Sequence, residues 1–158
     1  MTLGRSRRCS KHRATDVAVI THTQVINKPV EEVFDLLADA GSYAEWNPTI
    51  RSSRWLDDPP HGNGARFEWG LRGLGKVVQE LGEFEPLVQL RIVTDLKPVK
   101  GGHRFHLTAN GDATRIDHEL EVTPRGIFRL LGPMLVRNGR KSLRDTANAI
   151  STHFEGAG

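Results

Sequence analysis

Residues 101–122 read GGHRFHLTANGDATRIDHELEV, and this stretch constrains the chain more than any other. Two runs of alternating polar and apolar residues flank Asn110-Gly111-Asp112. Asn-Gly tolerates the positive φ that tight hairpin turns require, and a period of two marks a strand with one buried face. With the turn placed within that tripeptide, Phe105 lies opposite His118 and Leu107 opposite Ile116. His103, Phe105, Leu107, Ile116, His118 and Leu120 then share one face. The chain must therefore hold an antiparallel sheet with an apolar side, and that side needs a cover.

The segments upstream repeat the pattern. VAVITHTQVI (17–26) is β-branched and reads as a strand. NKPVEEVFDLLADA then changes period: Val30, Val33, Phe34 and Leu37 fall on one helical face, with Asn27 as the expected cap and Gly41 as the expected stop. SYAEW adds a further turn that Pro48 ends. Strands follow at 49–56, 65–73, 76–86 and 87–96, with DDPPHGNG (57–64) as a loop and Phe67, Trp69 and Leu71 on one face of the second. The last third is helical, broken or restarted at Gly132-Pro133, with Val136, Leu143, Ala147, Ile150 and Phe154 as its apolar stripe. The order is strand, two short helices, about six antiparallel strands and one long helix. The fold class is α+β, and only the long helix is large enough to cover the sheet.

One domain, residues 17–156, accounts for this pattern. Residues 1–16 carry Arg5, Arg7, Arg8, Lys11 and Arg13, which supply the basic excess of a chain whose net charge is +3. They lack aromatics and periodicity and read as a solvated, disordered tail, although nucleic acid or an anionic surface would also match their charge. Cys9 is the only cysteine, so no intramolecular disulfide or Cys-rich zinc site can form, which fits a reducing cytoplasm. No apolar run is long enough to span a bilayer.

The segment INKPVEEVFDLLADAGSYAEWNPTI resembles the START/Bet v 1-like superfamily, specifically its polyketide cyclase/dehydrase-like family. GARFEW, ELGEFEP, the hairpin GGHRFHL…TRIDHELEV and the Gly-Pro-containing final helix carry the same resemblance. It covers residues 17–155. It implies a helix-grip fold: a curved antiparallel sheet around a long C-terminal helix, with a hydrophobic cavity between them. It does not imply one activity, because the superfamily spans cyclases, carriers and receptors. In such a fold Tyr43 and Trp46 would stand at the cavity entrance and Trp55 would line the wall. The alternative is that Trp46 simply plugs the core.

Familiar catalytic motifs are absent, and Cys9 lies in the tail. His118 is the candidate catalytic residue, as a general base, with His103 beside it. The bland alternative is a pair of buried neutral histidines. The expected ligand-lining set is Phe34, Tyr43, Trp46, Trp55, Phe67, Trp69, Leu71, His103, Phe105, Leu107, Ile116, His118, Leu120, Met134, Leu135 and Asn138. Arg137 and Arg140 are expected to be exposed. No metal and no cofactor is expected, and nucleic acid is not the expected partner. Three functions remain open at this point. The first is binding of a hydrophobic or aromatic small molecule, and the second is a cyclase or dehydratase acting on a polyketide-like substrate. The third is an interaction protein that uses the basic tail.

Overall fold

A computed structural model describes residues 17–156; the basic segment 1–16 lies outside them. Seven strands form one antiparallel sheet: β1 (Ala18–Ile26), β2 (Ile50–Trp55), β3 (Arg66–Leu71), β4 (Gly75–Glu85), β5 (Gln89–Asp95), β6 (Val99–Asn110) and β7 (Ala113–Pro124). Their order across the sheet is β1-β7-β6-β5-β4-β3-β2. Two short helices, α1 (Val30–Ala38) and α2 (Tyr43–Trp46), link β1 to β2. A 3₁₀ turn, Gly126–Leu131, leads into the long helix α3 (Gly132–Gly156). This is the helix-grip fold.

The hairpin has the register its alternation requires. Phe105 pairs with His118, Leu107 with Ile116 and His103 with Leu120. β1 joins the other side of β7, so that His22 pairs with His118. Two local expectations differ. Asn27 does not cap α1, because the chain stays extended through Pro29 (ψ 152°) and the helix begins one residue later. The helix ends at Ala38 rather than at Gly41. Gly41 serves packing instead: a Cβ there would lie 2.5 Å from Trp55 Cδ1.

Curvature comes from β6. Gly101 and Gly102 sit in the middle of the sheet, paired on both sides. A Cβ on Gly101 would stand 1.9 Å from the Glu121 carbonyl oxygen, and one on Gly102 1.9 Å from that of Ile92. Only glycine lets the neighbouring backbones approach this closely, and such paired glycines are where a strand can bend. α3 fills the concave side with Gly139, Leu143, Thr146, Ala147 and Ile150. Gly139 is its point of closest approach, since a Cβ there would meet Ile20 Cδ1 at 2.7 Å and Leu120 Cδ2 at 3.1 Å. The main core gathers Val33, Phe34, Leu37, Phe67, Leu81, Leu90, Phe105, Ile116 and Ile150. Each large apolar side chain buried there contributes roughly 1.5–3 kcal/mol.

On the convex face, Arg104 binds Glu83 (2.8 and 3.0 Å), Glu119 (3.1 Å) and Glu121 (3.2 Å), while Arg91 binds Glu83 (3.1 Å) and Glu121. Glu83 occupies a bulge between β4 and β5 at φ 46°, which turns its carboxylate towards both arginines. The Arg104 guanidinium holds that carboxyl below its usual pKa.

Replacing Gly102 with Val is expected to destabilise the protein by about 3 kcal/mol or more, or to abolish soluble folding. Gly132→Ala, at a helical position with nothing within 4 Å of the new methyl group, is the control and should be neutral or slightly stabilising. Urea denaturation of both variants checks this.

Candidate ligand cavity and histidine pair

Between the bent sheet and α3 lies a cavity of about 120 Å³. α2 and the start of β2 contribute Tyr43, Asn47, Thr49 and Ile50; β3 contributes Trp69 and Leu71; β4 and β5 contribute Gln79, Ile92 and Thr94; β6 contributes His103 and Phe105; α3 contributes Ser142 and Thr146. Outside it runs a groove of about 940 Å³, lined by Trp46, Pro48, Arg72, Asn138, Lys141, Asp145 and neighbouring residues. Thr49, Leu71 and Ser142 line both spaces, so they stand at the boundary between them.

Several polar groups around the cavity are already satisfied and hold the frame. The Tyr43 hydroxyl donates to the Leu37 carbonyl at 2.7 Å, and the Trp69 indole donates to that of Ala40 at 2.8 Å. Burial and the nearby Asp39 charge push the Tyr43 phenol far above its ordinary pKa, so it stays a neutral donor. Asn47, 3 % exposed, accepts from the Thr49 amide at 3.1 Å and the Thr49 hydroxyl at 2.7 Å. Thr94 donates to Gln79 Oε1 at 2.7 Å. Gln79 Nε2, by contrast, is buried with no partner. An amide donor left this way costs about 1–3 kcal/mol unless something in the cavity accepts from it.

The second unusual feature is the pair of histidines. His103 Nδ1 and His118 Nε2 lie 2.8 Å apart, and Phe105 stacks on His118 with ring centroids 4.1 Å apart. Burial lowers the His103 pKa to about 4. His118 is lowered well below its ordinary value by burial first, then by His103 and His22. Both are therefore neutral near pH 7, and one donates to the other. His118 Nδ1 is buried without a partner. A lone pair is cheaper to leave there than an N–H. The arrangement of lower cost has His118 donating from Nε2, which leaves His103 with its proton on Nε2, the ring nitrogen not engaged with His118.

The structure brings Tyr43, Trp69, Leu71, His103 and Phe105 of the expected set to the cavity, with His118 directly behind His103. Phe67 packs beside Trp69 at 5.1 Å. Trp46 and Asn138 line the outer groove, and Asn138 does not converge with the histidines. Trp46 tilts against Tyr43 at 4.6 Å with its buried indole nitrogen unpartnered. Phe34, Leu107 and Ile116 belong to the main core with Val33 and Leu37. Trp55 stacks on His61 at 3.6 Å and donates to Asp39, away from the cavity. Leu120 packs with Val122 and Leu143. Met134 is exposed, and Leu135 lines a shallow recess with Val17 and Arg129.

Sequence reading missed Asn47, Gln79, Thr94, Ser142, Thr146 and His22. Two of these left a signal. Gln79 takes an inward slot between Val77 and Leu81, and His22 sits between the inward Ile20 and Gln24. Among the described residues, no three or more His, Cys, Asp or Glu side chains are grouped to hold a metal ion.

The family model for polyketide cyclase/dehydrase and lipid transport proteins matches residues 17–155. The chain belongs to that family. Its fold is shared with a START superfamily protein from Mycobacterium smegmatis, at 18 % identity and a TM-score of 0.75 over 89 % of this chain and 99 % of that one. The Zhui aromatase/cyclase from Streptomyces is similar at 13 % identity and a TM-score of 0.76, over 88 % and 94 %. A norcoclaurine synthase from Thalictrum, solved with a transition-state analogue, is similar at 14 % identity and 0.69, over 89 % and 96 %. No curated protein matches in sequence. At these identities the likeness to other family folds concerns architecture alone.

Burial of the histidine pair makes stability depend on pH. Below about 6.5 the unfolded chain protonates both imidazoles while the folded protein does not, so the unfolded state binds more protons. Stability is therefore expected to fall as pH drops from 6.5 towards 4, by about 1.4 kcal/mol per pH unit for each histidine held neutral. Denaturation of the His103→Phe/His118→Phe double variant should be flatter across this window. An unchanged slope would assign the effect elsewhere.

Proposed function

We propose that the protein binds a small hydrophobic or aromatic molecule bearing a carbonyl or similar acceptor oxygen. The observation that carries this reading is a cavity lining that holds His103 and Gln79 among apolar side chains. Gln79 Nε2 has no protein partner, and the favoured tautomer gives His103 a proton on Nε2, the ring nitrogen not engaged with His118. Around them the wall is largely apolar, with Ile50, Trp69, Leu71, Ile92 and Phe105. Apolar walls with a few placed polar groups are the usual make-up of small-molecule sites.

Size limits the ligand. A cavity of about 120 Å³ is near the volume that admits one benzene-sized ring. A larger molecule would place one ring and its oxygen inside and extend past Thr49, Leu71 and Ser142 into the outer groove. Trp46 on the rim would then cover it. The single cysteine, Cys9, supports a cytoplasmic setting for this role.

The second reading, a cyclase or dehydratase on a polyketide-like substrate, rests on the same histidines. With the opposite tautomer, His103 would face the cavity with a bare nitrogen and His118 behind it. A base whose pKa is held near 4 is weak at neutral pH, which favours binding over proton abstraction. On the enzymatic reading, His118→Ala abolishes turnover of a polyketone and leaves the fold intact.

Calorimetric titration with acetylnaphthalene and with ethylnaphthalene separates oxygen recognition from apolar burial. The ketone is expected to bind more tightly, and Gln79→Leu to reduce that preference about five- to tenfold, the value of one hydrogen bond. Equal affinity for ketone and hydrocarbon, or binding of neither, would refute the reading.

A further inference from the structure

The 3₁₀ turn before α3 leaves its apolar side chains in solvent. Ile127 is 78 % exposed and Leu130 85 %, and Phe128, Leu131 and Met134 continue the same surface. Nothing in the cavity uses them. An exposed apolar cluster of this kind marks an interaction site more often than chance.

The charge around it is one-sided. Six basic residues and no acidic one lie between Glu121 and Asp145. Arg125 is paired with Asp95 at 2.8 Å, and Lys141 with Asp145 at 2.5 Å. Arg129, Arg137, Arg140 and Arg144 have no ion-pair partner among the described residues. Met134, Arg137, Lys141 and Arg144 follow one another on the exposed side of α3, opposite the face that packs on the sheet. The recess beneath the turn includes Val17, where the segment bearing Arg5, Arg7, Arg8, Lys11 and Arg13 joins the domain.

We infer that this end of the molecule docks onto an anionic lipid bilayer, with Ile127, Phe128, Leu130 and Leu131 entering the interface and the arginines meeting lipid headgroups. A bilayer presents apolar depth and negative charge in adjacent layers, which is the complement of an apolar tip ringed by cations. The other occupants fit less well. The chain's own first residues are basic and would be repelled by the ring. A second copy would set arginines against arginines. A nucleic acid backbone would satisfy the charge and leave Ile127 and Leu130 exposed. No helix among the described residues is long and apolar enough to cross a membrane, so the contact is peripheral.

The inference is independent of what the cavity binds. The test is co-sedimentation of the full chain with vesicles of phosphatidylglycerol mixed with phosphatidylcholine, and with phosphatidylcholine alone. Binding is expected to the anionic vesicles and to weaken as salt is raised. Ile127→Asp/Leu130→Asp should reduce it at least about tenfold without lowering the melting temperature, because both side chains are exposed. Arg129→Gln and Arg137→Gln should each cost about fivefold, near 1 kcal/mol per cation at the surface. No binding at low salt, binding indifferent to lipid charge, or binding that survives the double Asp variant overturns the inference. So does a wild-type dimer in light scattering that the double variant converts to monomer, which would assign the patch to a second copy.

Discussion

Everything in this molecule depends on the close backbone contact at Gly101 and Gly102. A seven-stranded antiparallel sheet without such a point would twist gently and lie flat against a helix. Two glycines in the interior strand β6, each with a neighbouring carbonyl where a Cβ would stand, permit the bend. The bend makes a concave face, α3 occupies it, and the space left over is the cavity. Gly139 sets how deeply the helix sits, because any side chain there would collide with Ile20 and Leu120. Cavity size is thus controlled by residues that contribute no chemistry to it.

Within that space the polar groups divide into two kinds. Tyr43, Trp69 and Asn47 spend their hydrogen-bonding capacity on the backbone or on Thr49, and so fix the wall. Gln79 and the histidine pair retain capacity that the protein does not use. Folding around an unpaired donor is unfavourable, and the main core has enough apolar burial to tolerate it. The histidines add a second cost that appears only in acid. The same burial that keeps His103 neutral and able to donate also ties fold stability to pH.

The two ends of the protein carry different physics. Around Trp46 and Asn138 the groove beside the cavity is lined by mixed polar side chains and an ion pair between Lys141 and Asp145. At the start of α3 the surface is apolar and basic with few acids near it. α3 touches both regions, lining the groove with Asn138 and Lys141 and carrying Met134 beside the exposed turn. The family match, across residues 17–155, concerns the frame on which both are mounted.

Local pattern alone determined a good part of this. The Gly111-Asp112 turn and strict alternation set the β6–β7 register, and with it the placement of His103 and His118 on one face, because a slip of one residue would turn every apolar side chain outward. The 3.6-residue period of Val33, Phe34 and Leu37 likewise set the buried face of α1. What the sequence could not show was which inward-facing residues meet across distance. Gln79 and Thr94 are 15 positions apart and become partners only when β4 and β5 pair. Asn138 stands on the groove side of α3 because Gly139, its neighbour, must face the sheet. Trp55 is drawn off to His61 and Asp39 by a loop whose path no periodicity encodes. Periodicity reports which side of an element is buried; only the packed structure decides which buried side chains fill the core and which are left to line a cavity.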